Sequence, residues 1–394
     1  MRRRLDCYSK QVWRLNLGSE AMTIREQRLS IFKSFGASDE EAEVLLAYSS
    51  SSFSPSARTS ELELPLKDEL HLADWQGYAV EALKSSVPET LSKYLVQLRF
   101  PIKEGISGTD NYLAATRRGQ IDAAPGGLEF LAPAKIELRI HPTAGGHIPV
   151  IVVDDRTDFE TMIRAIVRKN EPVEIPSSMG AAAVKGLNNW SRVLKIRDAW
   201  IAQDESRNGA SWNAAFKAVS RPKAAYQDTL IILSQGPYSN TSSEQVGCTP
   251  ADWLQKSLII RLEHECAHYF CRRVYGSMHN NIRDELIADY AGIVAAEGHF
   301  RADWFLHFMG LNEDGVYDGE GRMQVYRGDP ELPDSAWAIM GKVLVAAAKN
   351  LETADAKLEA RTAPRPSDLL AICDHWLEAL AVLDSDKLWW PTTA

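Results

Sequence analysis

The segment His264-Glu265-Cys266-Ala267-His268 constrains this chain more than any other. It continues a stretch, Leu258-Ile259-Ile260-Arg261-Leu262-Glu263, whose apolar spacing is helical, so the expectation is one helix from about Ala251 to Arg273. Residues four apart on a helix share a face one turn apart, and His264 and His268 can offer two imidazoles to a single ion. Glu265 is rotated away by one residue, toward the position of a water bound to that ion. The pattern is the one expected where zinc assists hydrolysis.

A second helical stretch, about Ile282 to Glu297, follows a short connection, Val274 to Asn281. It carries Glu285-Leu286-Ile287-Ala288-Asp289, a carboxylate at a place suited to completing the metal site. Upstream, Thr229-Leu230-Ile231-Ile232-Leu233-Ser234 is an apolar, β-branched run closed by Gly236-Pro237, and it reads as a strand.

Over roughly Thr229 to Glu297 the chain resembles the gluzincin branch of the zincin metallopeptidases, the branch that includes thermolysin. The resemblance implies a Zn2+ cofactor held by His264, His268 and Glu285. Asp289 then orients His264 from behind, which suits the habit of ligating imidazoles to donate their second N–H to a carboxylate. It also implies Glu265 as general base on a zinc-activated water, with a peptide or protein as substrate. The oxyanion donor, a histidine or tyrosine in that family, has His279, Arg283, Tyr269 and Tyr326 as candidates. Thr229 to Ser234 is a candidate edge strand for binding extended peptide, with a buried interior strand as the competing assignment. The loop from Gln235 to Thr249 is placed to overhang the cleft. The interval from His268 to Glu285 is shorter than is usual in the family, and no G-x-M-E-N segment marks an aminopeptidase.

Other metal sites fit less well. A metzincin needs a third histidine where Val274 stands, and a di-iron carboxylate site needs a histidine where Ala288 stands. Cys271 lies a turn beyond His268 and Cys266 on the opposite side of the helix, and both read as packing residues. Two alternatives of function stay open: a zincin-like metal enzyme acting on a small molecule or modified peptide, and a non-catalytic zinc-binding or regulatory protein.

The expected fold class is α+β, with a zincin-like core made of a small mixed sheet, the histidine helix and the glutamate helix. The 394 residues divide into an N-terminal helical and loop segment (1–70), an α/β region (71–225), the core (226–300) and a helical C-terminal subdomain (301–394). Ser38-Asp39-Glu40-Glu41 resembles a capping box opening a short helix, and Ser49 to Ser60 reads as a serine-rich loop. Trp75 to Leu83 and Pro88 to Leu95 read as helices, and Val96 to Phe100 alternates like a strand. Ile136 to Ile140 and Ile148 to Val153 read as strands around a tight turn at Gly145-Gly146-His147, and Asp158 to Val167 as an amphipathic helix. Helical stretches around Trp304, from Ala336 to Leu351 and from Ser367 to Leu383 complete the chain, with Trp389-Trp390-Pro391 as a packing anchor.

Hydrophobic residues at 45% and charged residues at 25% are the balance of a folded globular chain. A net charge of −9 without a basic tract argues against a nucleic-acid partner, since phosphate binding needs a positive footprint. No apolar run approaches the roughly 18 residues that span a bilayer, and Met1-Arg2-Arg3-Arg4 is not followed by the apolar stretch of a secretory signal. Five cysteines without disulfide or C-x-x-C spacing suit a reduced cytoplasm. Oligomeric state has no signature in the sequence.

Overall fold

The computed structural model describes residues 22–50, 62–219, 223–276 and 281–389. The expectations for Met1 to Arg4, Cys7, most of the Ser49–Ser60 loop, His279 and Trp390-Pro391 lie outside them. Among the described residues the fold is α+β, with fourteen helices and one four-stranded mixed sheet. The helices are α1 (Ile24–Ser34), α2 (Asp39–Ser50), α3 (Leu72–Ala82), α4 (Val87–Tyr94), α5 (Asp110–Arg118), α6 (Arg156–Ile166), α7 (Trp190–Ala202) and α8 (Gly209–Val219). The remainder are α9 (Pro250–Tyr275), α10 (Ile282–Glu297), α11 (Ala302–Met309), α12 (Asp334–Asp355), α13 (Pro366–Cys373) and α14 (Leu377–Leu380). None is long and apolar enough to cross a membrane.

The strands are β1 (Ile136–His141), β2 (Ile148–Val153), β3 (Ala181–Asn188) and β4 (Gln227–Ser234), in the order β1-β2-β4-β3. The first two form a hairpin over the turn at Gly146, whose N–H donates to Thr143 O at 3.1 Å. β2 runs parallel to β4, and β3 closes the other side antiparallel to β4. Side chains alternate between faces with period two. Ile151, Val153, Leu230 and Ile232 therefore pack with Trp75, Leu91, Phe159 and Met162 from α3, α4 and α6. Ile148, Val150, Val152, Ile231 and Leu233 face the other way, onto Cys266 and Tyr269 of α9.

Helix α9 is thus the partition of the molecule. One side lies on the sheet, and the other joins an apolar core built from α1, α2 and α10 to α14, including Phe32, Leu45, Leu286, Phe308, Leu344 and Leu380. That core draws on residues from both chain ends.

Some expectations are corrected. Val96–Arg99 is a 3-10 turn, not a strand. Its alternation is real, with Val96, Leu98 and Phe100 all buried, but the carbonyls of Gln97 and Phe100 accept hydrogen bonds from the buried Asn170 side chain in place of a neighbouring strand. β4 is an interior strand: β2 and β3 occupy both of its sides, so the candidate edge at Thr229–Ser234 does not exist. Its run of buried apolar residues on both faces is what an interior strand requires. The stretch from Ser367 to Leu383 is broken into α13 and α14 at Asp374-His375-Trp376. β3, α1, α5, α7 and α8 have no individual counterpart in the sequence expectations.

Candidate metal centre

The two helices that carry the motif are fixed by their ends. Thr249 caps α9 by accepting from Asp252 N–H, Pro250 occupies the first turn, and Gly276 ends it in the left-handed conformation (φ 71°). Asn281 caps α10 by accepting from the N–H groups of Arg283 and Asp284. Glu285 consequently lies in the first turn of α10, where the helix dipole favours a carboxylate.

The helices cross closely because of Gly292. A Cβ there would overlap the carbonyl of Ile260 on α9. Glu285, Asp289 and Gly292 are spaced four and three apart, so the glycine that permits the approach shares a face with both carboxylates.

His264 Nε2 and His268 Nε2 are 3.0 Å apart. Glu285 offers Oε2 at 3.6 Å from His264 Nε2 and Oε1 at 3.4 Å from His268 Nε2. All three side chains are buried, and one ligand atom from each lies within 4.8 Å of the others. Asp289, fully buried, accepts from His264 Nδ1 through Oδ1 at 2.8 Å. That acceptor fixes the His264 proton on Nδ1 and leaves the Nε2 lone pair aimed at His268. Glu265 is partly exposed, while its neighbours in the site are buried.

Two residues that the sequence did not single out complete the arrangement. The Tyr238 hydroxyl, from the loop after β4, donates to Asp289 Oδ1 at 2.6 Å and lies 2.9 Å from His264 Nδ1. Arg322 donates through Nη1 to Tyr238 Oη at 2.8 Å, and its Nη2 pairs with Asp289 Oδ2. The loop from Gln235 to Thr249 therefore braces the back of His264 through Tyr238. Of the expected oxyanion donors, Tyr269 donates to Glu69 at 3.0 Å and packs on the sheet, and Arg283 donates to the Cys373 carbonyl at 2.6 Å. Both point elsewhere. Tyr326 stands by Glu285, whose charge adds to burial in pushing its phenol up. Cys271 is buried with its sulfur 3.7 Å from that of Cys373.

The electrostatics are those of a packed donor set. Burial works to raise the Glu285 carboxyl, but His264, His268 and Arg322 outweigh it and hold the group below the usual carboxylate range. Burial likewise works to lower His268, and its hydrogen bond and charge interaction with Glu285 reverse this, lifting the imidazole to about 8. Tyr238 is pushed well up by burial and remains a neutral donor.

The residues present fit a zinc ion. Bonds of ~2.0–2.1 Å at tetrahedral angles separate neighbouring ligand atoms by roughly 3.3 Å; the two imidazole nitrogens are 3.0 Å apart, and each lies 3.4–3.6 Å from one of the two Glu285 oxygens. Glu285 Oε2, fully buried, has no hydrogen-bond partner among the described residues, and the Arg322 guanidinium stands off at 3.9 Å. A buried carboxylate oxygen without a donor is costly unless a cation meets it.

A family model described as "Family of unknown function (DUF7005)" matches residues 30–384. The chain belongs to this family. The match takes in every helix from α2 to α14 and all four strands, so His264, His268, Glu285 and Asp289 lie within the matched region. No curated protein and no solved structure matches the chain.

Proposed function

We propose that this chain is a zinc-dependent metallohydrolase of gluzincin type that cleaves peptide bonds. One observation carries the proposal: two imidazole Nε2 atoms and the Glu285 carboxylate, one oxygen of which has no hydrogen-bond partner, meet between the buried faces of α9 and α10, with an aspartate behind the first histidine. His264, His268 and Glu285 would hold the zinc ion, which would supply a Lewis acid and lower the pKa of a bound water.

The chain's own groups would do the rest. Glu265, next to His264 in sequence and partly exposed, takes the proton of the attacking water and returns it to the leaving amine. Of the three described oxyanion-donor candidates, Tyr326, kept neutral by burial and hydrogen-bonded to Glu285, is the one that stands beside the donor set. Asp289, Tyr238 and Arg322 hold His264 in one tautomer and one orientation.

β3 takes the substrate-binding role expected of the Thr229–Ser234 strand. It is an edge of the sheet, and Gly180 at its start lies so close to Arg261 of α9 that a Cβ would strike the guanidinium. An extended peptide adding to this edge runs beside the helix that bears Glu265.

The test is Glu265→Gln in zinc-loaded protein, assayed on an unfolded protein substrate. Hydrolysis should fall by about 10²–10⁴-fold while zinc content stays at the wild-type level. A Glu265→Gln protein that cleaves at the wild-type rate sinks the proposed mechanism.

A further inference from the structure

Helix α9 presents a second donor set on its opposite side. Glu263 and Cys266 are three residues apart and share one face, which is turned away from His264 and His268 and toward the sheet. At the end of β1, His141 reaches this face, with Nε2 2.8 Å from Glu263 Oε1. One ligand atom from each of His141, Glu263 and Cys266 lies within 4.8 Å of the others.

We propose that these three residues form a second metal site, selective for borderline and soft divalent cations such as Zn2+, Co2+ and Cd2+. Thiolate and imidazole donors favour such ions over Mg2+ and Ca2+, which take oxygen ligands. His141 and Glu263 are partly exposed (side chains 25% and 18%), so an ion has a path from solvent, while Cys266 is buried at the sheet. Two donors sit on one helix and the third on a strand, elements rigid enough to hold a coordination geometry. The separations for a tetrahedral ion are roughly 3.3–3.8 Å with Zn–S near ~2.3 Å, which small rotations of the partly exposed His141 and Glu263 side chains supply. Without an ion, Cys266 is a packing thiol and His141–Glu263 an ordinary hydrogen-bonded pair. With one, the site ties edge strand β1 to α9, on the face opposite His264.

Cobalt distinguishes the two sites. The His264–His268–Glu285 site has nitrogen and oxygen donors only, so a thiolate-to-cobalt charge-transfer band in the near ultraviolet reports the second site alone. Full-length protein titrated with Co2+ is expected to bind a second equivalent and to develop that band. The band should survive the double variant His264→Ala/His268→Ala and also Cys248→Ser, which removes a partly exposed thiol elsewhere. Cys266→Ser should abolish it along with one equivalent of bound metal. His141→Gln and Glu263→Gln, on the exposed side of the site, should each weaken binding in that band by about tenfold or more. Wild-type protein that binds Co2+ without a thiolate band overturns the proposal, as does a band that persists in folded Cys266→Ser. Neither result bears on the gluzincin assignment, which rests on other donors.

Discussion

Gly292 of α10 lies against the main-chain carbonyl of Ile260 on α9, with no room between them for a methyl group. Ile260 is one turn before His264, and Gly292 is three residues after Asp289, so this contact sets the distance across which the histidines and carboxylates meet. Gly292→Ala forces the helices apart in a well-packed core, at a cost of about 1–3 kcal/mol. The urea midpoint should fall without a change in slope. Zinc affinity should fall with it, because the separations of 3.0–3.6 Å at the site leave little slack. An unchanged midpoint would show that the helix contact is not the constraint.

Asp289 is paired with Arg322 and hydrogen-bonded to Tyr238 and His264 while fully buried. Asp289→Asn removes the charge that Arg322 faces, and an amide that keeps its oxygen on His264 turns its NH2 onto the Arg322 guanidinium. Stability should drop by about 3–5 kcal/mol, the range for breaking a buried pair from one side. Zinc affinity, measured against a chelator, should weaken by about 10–100-fold. Adding Arg322→Met to Asp289→Asn should recover part of the stability, since the amide NH2 then no longer faces a buried guanidinium.

Much of this was written locally in the chain. The bounds of α10 follow from Asn281 and Gly298 at its ends, and the i, i+4 spacings of His264–His268 and Glu285–Asp289 fix which side chains share a face. Tyr238 and Arg322 were not legible, because no periodicity links a loop after β4 or a residue beyond α11 to the back of His264. Their contacts are set by tertiary packing alone. β3 escaped notice for a different reason. Its sequence opens Ala181-Ala182-Ala183, residues with weak strand preference, and it is a strand because β4 offers it an edge to pair with. Val96–Arg99 fails in the opposite sense: it has the right alternation, but Asn170 takes the carbonyls that a partner strand would have used.

Metal affinity should depend on pH through His268. In metal-free protein its imidazole is lifted to about 8, chiefly by Glu285 against the opposing effect of burial. Below that value an incoming ion must displace a proton, so affinity should rise about tenfold per pH unit up to roughly 8 and then level. For the metal-free fold the sign is reversed. A raised histidine pKa adds stability that is complete below its unfolded value of ~6.5 and is lost as pH climbs through about 8. Urea titrations of metal-free protein across that interval should show the loss, and His268→Gln should remove it.

His375 works at the other end of the scale. Burial lowers its imidazole, with Arg283 adding to the effect, and brings it to about 4. The unfolded chain therefore binds a proton in the window from ~6.5 to about 4 that the folded chain does not, and stability falls as pH falls through it. The loss should be on the order of a few kcal/mol, because the neutral imidazole must take up a proton that its buried setting disfavours. It should vanish in His375→Gln, measured by urea denaturation between those pH values.

Tyr238→Phe separates the hydroxyl from the ring. The ring packs edge-on against Phe308, with centroids 5.0 Å apart, and the substitution preserves that contact. What disappears is the bond to Asp289 Oδ1 and the acceptor for Arg322 Nη1. Leaving a buried donor without its partner costs about 1–3 kcal/mol, so the variant should be less stable than wild type yet folded. Because Asp289 still accepts from His264 Nδ1, zinc affinity should fall by less than in Asp289→Asn. Equal losses in the two variants would mean that the phenol, and not the carboxylate, holds His264 in place.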